Sequence, residues 1–352
     1  MRQYRVAVIP GDGIGQEVVP EGVRVLQAAA RRFGFQVQTV EFPWGCGYYL
    51  EHGAMMPPDG LQQLRSFDAI LLGAVGDPRV PDHVSLWGLL LRIRKGFDLY
   101  VNLRPVRLLE GVPGPLAGRG PGDVDMLFVR ENTEGEYAGV GGRVAEGTPE
   151  EVALQTSVYT RRGTERILRY AFELARKRRR RLASVTKSNA LQYTAVLWDE
   201  VTELVGRDYP DVEVWKLHVD AAAYHMVLNP QRFDVVVGSN LYADILTDLG
   251  AALQGSLGLA ASANLDPTRR FPSLFEPVHG SAPDIAGRGI ANPLATFWSV
   301  SLLLEHLGEA GAAAAVFDAV RAVVKDPLLR TPDLGGSATT RQVAEAVLEA
   351  LG

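Results

Sequence analysis

Asp244 and Asp248 stand four residues apart in the stretch Phe233–Gly250, and that spacing raises the first question of chemistry in this chain. The stretch opens as an apolar run, Val235-Val236-Val237, and turns at Gly238-Ser239-Asn240. It continues with Leu241, Ile245, Leu246 and Leu249 at helical spacing. The pattern predicts a buried parallel strand that delivers a helix. On a helix the two carboxylates share one face about one turn apart. Like charges that close repel unless a cation lies between them, and carboxylate oxygens are ligands of hard divalent ions such as Mg²⁺ or Mn²⁺. Most acids at this spacing are simply solvated. What distinguishes this pair is its place after a strand's carboxyl end, where open α/β sheets keep their ligands.

Further groups stand at predicted element ends. Arg94 lies in a helix over Leu86–Phe97, Arg104 ends a strand over Leu99–Leu103, and Arg130 ends a strand over Met126–Val129. Guanidinium groups grip carboxylates bidentately, so three converging would hold a di-acid and offset a negative site, although each alone reads as a surface arginine. Lys187 follows a strand over Leu182–Thr186 and can act as a general acid or base if its pKa is depressed. Asp220 falls between a strand over Val212–Lys216 and a helix from Ala221, and reads equally as a helix cap or a ligand. The Gly/Ser/Pro/Asp-rich loop over Leu274–Gly287 can wrap a polar ligand with backbone N–H groups, and Asp284 can accept hydrogen bonds from ribose hydroxyls.

These groups need a frame. A first strand over Arg5–Pro10 leads through Gly11-Asp12-Gly13-Ile14-Gly15 into a helix from Glu17 to Arg32, with further strands over Phe35–Phe42 and Ala69–Gly73. The glycines run G-x-G-x-G and no acid ends the second strand at the required distance, so the ordinary Rossmann fingerprint fails. Gln155–Thr160 reads as an exposed strand, Arg162–Lys177 as a helix, and Arg178–Arg181 as its solvated basic end. Glu110–Gly122 is a Gly/Pro-rich surface loop, and the helices after Pro293 show no chemistry.

Composition narrows the function classes. The chain has 352 residues, 47% of them hydrophobic, enough for a substantial core and two domains. A net charge of −5 gives no general attraction to nucleic acid or anionic membrane. Cys46 is the sole cysteine, which excludes an internal disulfide and fits a reducing compartment. No apolar run approaches the ~18 residues of a membrane span, and the N-terminus runs into a strand instead of a signal peptide. A cytoplasmic protein is expected. No G-x-x-x-x-G-K-[ST] loop supports a metal-dependent phosphotransferase.

Taken together, the motifs resemble those of the β-decarboxylating (R)-3-hydroxyacid dehydrogenases, which include the isocitrate, 3-isopropylmalate, homoisocitrate and tartrate/D-malate dehydrogenases. The likeness runs from Ile9-Pro10-Gly11-Asp12-Gly13-Ile14-Gly15 to Thr331-Pro332-Asp333-Leu334-Gly335-Gly336. It is carried by Asn102-Leu103-Arg104-Pro105, by the run from Val129 to Tyr137, by Ser239 to Leu249, and by Glu276 to Gly287. The resemblance implies a two-domain α/β fold that is not a Rossmann fold, with a central sheet flanked by helices and an active cleft between domains. Residues 1–101 plus 258–352 would form the cofactor-side domain and 102–257 the substrate, metal and dimerisation domain. It further implies a homodimer in which Asp220 and Lys187 act across the interface. Asp220, Asp244 and Asp248 would bind the metal, Tyr137 and Lys187 would form the acid/base pair, and Arg94, Arg104 and Arg130 would hold a malate-like half. His279, Gly280, Ser281, Ala282, Asp284, Ile285 and Asn292 would bind the cofactor. A carboxylate at Asp284 repels a 2′-phosphate, which points to NAD.

The same resemblance addresses the substrate. Where isocitrate members carry a serine and an asparagine, this chain has Gly88 and Leu90, so an extra carboxylate finds no polar anchor. Trp87 replaces an acid of the isopropylmalate members and fills the volume an isopropyl group needs. The blocks Phe42–Gly53 and Pro81–Gly88 look like the tartrate/D-malate branch. The expectation is therefore NAD- and Mg²⁺- or Mn²⁺-dependent oxidative decarboxylation of D-malate, or oxidation of tartrate, with 3-isopropylmalate as the alternative. A catalytically silent regulatory paralogue is the alternative from another class.

Overall fold

The computed structural model describes residues 2–352, which fall into two compact units. The first unit comprises 1–99, 107–121 and 251–352, and the second 100–106 and 122–250. Segment 107–121 thus belongs to the first unit, whereas a boundary at residue 101 assigns it to the second.

The chain opens with β1 (Gln3–Gly11), α1 (Gly15–Phe33), β2 (Gln36–Glu41), α2 (Cys46–His52), α3 (Gly60–Leu64), β3 (Ala69–Ala74), α4 (Asp82–Gly88) and α5 (Leu90–Gly96). The second unit follows with β4 (Val101–Arg107), β5 (Asp125–Glu131), β6 (Gly135–Val144), β7 (Val152–Val158), α6 (Arg161–Arg176), β8 (Arg181–Thr186), α7 (Thr194–Gly206), β9 (Glu213–His218), α8 (Val219–Leu228), β10 (Val235–Gly238) and most of α9 (Asn240–Leu253). The chain then completes the first unit with β11 (Ala261–Leu265), β12 (Ser273–Pro277), α10 (Leu294–His306), α11 (Ala310–Lys325) and α12 (Thr340–Leu351).

In the first unit the strands run in the order β2-β1-β3-β12-β11. All neighbours are parallel except β11, which pairs antiparallel with β12. Every residue of β3 and of β12 is buried, as a parallel strand covered by helices on both faces requires. α1 ends at Gly34, whose φ of 72° supplies the left-handed C-cap. α12 begins with a capping box between Thr339 and Gln342. α10 is buried nearly all round, which explains why its sequence lacks a polar stripe.

The second unit orders its strands β4-β5-β10-β8-β9, with β5, β10, β8 and β9 mutually parallel. β6 and β7 form a separate antiparallel hairpin, of which only the second strand was legible in the sequence. Arg178 and Arg179 correct the expectation of a solvated basic end. Both donate to the buried carboxylate of Asp234, at 2.7 Å each, and Arg178 also pairs with Asp125 at 3.0 Å. The helix expected over Leu86–Phe97 is likewise two helices, broken at Leu89.

Gly73 sits where β3 crosses the end of β1, and a Cβ there would lie 2.2 Å from Pro10 O and 2.8 Å from Val19 Cγ2. We expect Gly73→Ala to cost more than about 2 kcal/mol, because backbone has to move. Gly34→Ala meets no atom within 4 Å and should cost only about 1 kcal/mol, for its positive φ. Chemical-denaturation midpoints of the two variants measure the difference.

Candidate active site

The parallel strands of the second unit deliver the predicted groups to one edge. Arg130 is the penultimate residue of β5, α9 with Asp244 and Asp248 follows β10, Lys187 follows β8, and Asp220 follows β9. All four strands end there, at the carboxyl side where such sheets hold ligands.

Asp244 is the hub. Its Oδ1 accepts from Arg104 Nη1 at 3.0 Å and from Arg130 Nη1, and its Oδ2 accepts from the Tyr137 hydroxyl at 3.0 Å. The guanidiniums are themselves fixed. Arg130 Nε and Nη2 donate to Asn240 Oδ1 at 2.9 and 2.7 Å, and Arg104 Nη1 donates to Thr247 Oγ1 at 2.7 Å. Both arginines are buried, so their charges act in a medium that screens poorly. Arg104 sits within β4 and not at a strand end, so it reaches Asp244 from the flank of the strand.

Asp248, one turn further along α9, is exposed. Desolvation raises its carboxyl pKa, the Arg104 charge opposes that shift, and the neighbouring Asp244 carboxylate adds to it. The pair fits a hard divalent cation by donor type.

Lys187 and Asp220 form a second group. Lys187 Nζ donates to Asp220 Oδ1 at 2.5 Å, and that bond holds the Asp220 carboxyl below its ordinary range. Asp220 lies in the first turn of α8, whose N-cap is His218, so it is not the capping residue. Among the described residues no three His, Cys, Asp or Glu side chains converge, and Asp220 does not join the Asp244–Asp248 pair within one chain. Strand spacing explains why: β9 is two strands from β10, about 10 Å away.

Between β5 and β6 the chain winds around Glu131, a buried carboxylate that accepts from Thr133 N at 3.0 Å, Thr133 Oγ1 at 2.8 Å and Glu134 N at 2.8 Å. Burial nonetheless raises its pKa. This turn carries the chain into β6, which bears Tyr137. Sequence reading assigned no role to Glu131, Asn240 or Thr247. Their signal is polarity within otherwise buried stretches.

In the first unit the corresponding edge gathers the glycine turn and the loop expected to bind cofactor. Ile14 N donates to Ser281 O at 2.9 Å, and Gly287 N donates to Glu17 Oε1 at 2.5 Å. Asp12, buried, accepts from Cys46 N at 2.8 Å and Gly76 N at 2.9 Å. A Cβ on Gly13, whose φ is 53°, would lie 2.1 Å from Ser281 O, so the glycine serves close approach of two backbones. Ser281 is buried, Gly280 and Asp284 are exposed, Ile285 is half-buried, and Ala282 adopts a φ of 42°. Desolvation lowers the pKa of His279. Asn292 Nδ2 donates to Asp333 Oδ2 at 3.0 Å. Arg94 Nη2 pairs at 2.8 Å with Glu276, both buried, and Asn264 Nδ2 donates to the same carboxylate oxygen. Trp87 lies under Lys95 Nζ, 4.4 Å from the ring centre, and Leu90 is half-buried.

The carboxyl ends of parallel strands, where both sets of residues lie, are where α/β enzymes keep their ligands. The profile of the family described as isocitrate/isopropylmalate dehydrogenase matches residues 5–347. A D-malate dehydrogenase (decarboxylating) of Escherichia coli (strain K12) is 56% identical, covering 99% of this chain and 98% of its own. A probable tartrate dehydrogenase/decarboxylase of Agrobacterium vitis is 55% identical, covering 100% and 97%, and a tartrate dehydrogenase/decarboxylase of Pseudomonas putida is 53% identical, covering 99% and 98%. The crystal structure of isocitrate dehydrogenase from Methylococcus capsulatus superposes with a TM-score of 0.88 at 39% identity, covering 99% of each chain. The chain belongs to the isocitrate/isopropylmalate dehydrogenase family, and it is a decarboxylating dehydrogenase of that family.

The raised carboxyl of Asp248 fixes the sign of one experiment. A carboxylate whose folded pKa lies above its unfolded value costs stability as pH rises past the unfolded value of 3.8, and the cost is complete above the folded one. Without added metal, Asp248→Asn should therefore match or exceed the wild-type thermal midpoint near pH 7, with no difference below that unfolded value. Added Mn²⁺ should raise the wild-type midpoint and leave the variant unmoved. An equal Mn²⁺ shift in both would remove Asp248 from the ligand set.

Proposed function

We propose that this protein is an NAD- and Mg²⁺- or Mn²⁺-dependent dehydrogenase that oxidatively decarboxylates D-malate to pyruvate and CO₂, or oxidises tartrate. The observation that carries the reading is the Asp244–Asp248 pair rimmed by Arg104, Arg130 and Tyr137. What supports it is the donor set: carboxylate oxygens of Asp244 and Asp248 suit a hard divalent ion, and two buried guanidiniums at the same edge suit a carboxylate-bearing substrate.

Asp244, Asp248 and Asp220 of the partner subunit would hold a divalent ion, which would supply stabilisation of developing negative charge, and the cofactor site would supply NAD⁺ as hydride acceptor. Lys187 takes the proton from the substrate hydroxyl. Tyr137, oriented by its hydrogen bond to Asp244, returns a proton to the enol carbon. Arg104, Arg130 and Arg94 hold the substrate carboxylates. Trp87 and Leu90 limit the substituent, which favours malate or tartrate over 3-isopropylmalate. His279, Gly280, Ser281, Ala282, Ile285 and Asn292 line the cofactor site, and Asp284 selects NAD over its 2′-phosphorylated form.

The reading requires a homodimer. Val144, Leu154, Tyr224 and Ile245 are 60% or more exposed, on the β6–β7 hairpin, α8 and α9, and apolar surface of that extent supports a partner copy. The lone Cys46 supports a reducing compartment, the cytoplasm, as the protein's location. The alternative of a catalytically silent regulatory paralogue falls away, because the relatives are decarboxylating dehydrogenases and the chain carries Tyr137, Lys187 and all three aspartates.

Initial rates of NADH formation should rank D-malate or tartrate above 3-isopropylmalate, and the reverse order would exchange the two substrate assignments. Lys187→Ala and Tyr137→Phe should each lower kcat by about 10² or more. If Lys187 serves its partner's site, refolding the two inactive variants together yields mixed dimers with one intact site, recovering roughly a quarter of wild-type activity. No recovery from mixed dimers would place Lys187 and Tyr137 of one chain in the same site.

A further inference from the structure

One exposed carboxylate of the first unit ties together segments from three parts of the chain, and the proposed reaction gives it no role. Asp333 lies between α11 and α12, and its Oδ1 accepts from Thr331 Oγ1 at 2.5 Å. Its Oδ2 accepts from Asn292 Nδ2 at 3.0 Å and from Ser256 Oγ, in the turn after α9. Ser256 is itself oriented, since its Oγ accepts from Gly258 N at 2.9 Å. Asn292 closes the long loop that follows β12, just before α10. The turn after α9, the tail of the loop expected to bind cofactor and the approach to α12 thus meet on one side chain.

The amide of Asn292 is held at both ends. Its Nδ2 donates to Asp333, and its Oδ1 accepts from Leu294 N at 3.0 Å. A carboxylate only accepts and a backbone N–H only donates, so this pairing admits one orientation of the amide. Asn292 is buried, and a reversed amide would leave these groups unpaired away from water. Gly258 makes room for the contact: a Cβ there would lie 2.7 Å from Asn292 Cβ and 2.7 Å from Asp333 Oδ2. The rest of the loop tail is fastened from the start of α12, where Thr340 N donates to Gly289 O at 2.9 Å and Thr340 Oγ1 donates to Ala291 O at 2.6 Å. The Asp333 charge also reaches His279, whose pKa is lowered by burial and partly restored by the carboxylate.

We propose that Asp333 is a positioning residue for the adenosine end of the cofactor, a role that rests on the NAD-dependent reading given above. By fixing Asn292 and the loop tail against the turn after α9, it shapes the stretch His279–Asn292 before the cofactor arrives. The end concerned is the adenosine one, because Asp284 on the same loop would meet a ribose 2′-hydroxyl. A loop that orders only on binding loses affinity to that ordering, so a loop held in advance binds more tightly. An acceptor-only group suits the place, since side-chain donors from three segments converge on it.

Calorimetric titration of the full chain with NAD⁺, and with ADP-ribose as the adenosine end without nicotinamide, tests this role without turnover. We expect Asp333→Ala to weaken both by about tenfold, as the loss of one or two hydrogen bonds implies. Asp333→Asn can keep its oxygen toward Asn292 and Ser256 and turn its amide to Thr331, whose hydroxyl can accept. It should therefore weaken both by less than about threefold. Thermal midpoints without ligand report folding. At saturating NAD⁺, kcat and the KM for D-malate should hold in both variants, which general damage to the fold would not allow. Failure of the wild type to bind either probe would remove the cofactor reading itself, and this role with it. With the wild type binding both, three results would overturn the role of Asp333 alone: unchanged affinity in Asp333→Ala, a loss confined to NAD⁺, or an asparagine variant as weak as the alanine one.

Discussion

Two carboxylates one helical turn apart, facing two buried guanidiniums, set the terms for the second unit. Removing a charge from water is costly, and an arginine as buried as Arg130 is tolerated only with its forks filled. Asn240 and Asp244 fill them, and Thr247 and Asp244 both accept from Nη1 of Arg104. Each partner sits on α9, so the geometry of the helix fixes the geometry of the guanidiniums. The helix in turn is fixed by β10, whose four residues are all buried between β5 and β8. The electrostatics are therefore built on a helix and strands, which position side chains more precisely than loops do.

The first unit solves a different problem, that of holding an irregular loop still. The segment after β12 has few regular backbone partners, yet its N–H and carbonyl groups must be satisfied or solvated. The glycine turn after β1 supplies a partner through Ile14 and Ser281, and Glu17 at the start of α1 takes the Gly287 N–H. Asp12 ties that turn to the residues after β3 and to the start of α2. A motif that resembles a phosphate-binding turn thus has a structural task here, which accounts for glycine spacing that does not fit a dinucleotide.

The legible parts of this fold were those with strong local periodicity. The apolar runs of β3 and β10, the long amphipathic helices α1 and α6, and the handover from β10 to α9 follow from residue order alone. β11 and β12 were missed because they are short and end in a Pro/Gly-rich loop, so their pairing is a long-range decision. β6 was missed because its glycines dilute any alternation. The site residues were legible as a set through motif resemblance, while their partners were not. Nothing local in Glu276 marks it as the acid facing Arg94, 182 residues away in sequence. The ion pairing of Arg178 and Arg179 was equally invisible, since Asp234 lies far along the chain and its burial is a property of the fold.

Strand order also bears on assembly. Ligands of a small divalent cation sit about 2.1 to 2.6 Å from it, so carboxylates that share one ion must come within roughly 5 Å of each other. α9 offers two such groups, and the third candidate, Asp220, is attached to a strand two places away. No side-chain rotation spans that distance, because an aspartate reaches only a few ångströms from its backbone. On the proposed reading, completion of the metal site is then a matter of symmetry: an isologous contact that brings one Asp220 to a partner's α9 does the same in reverse and makes two equivalent sites at once. Exposed Ile245, next to Asp244 on α9, and exposed Tyr224, on the helix bearing Asp220, supply apolar surface for that contact within a turn or so of the carboxylates concerned. Association and metal binding would thereby be linked, each stabilising the other by mass action.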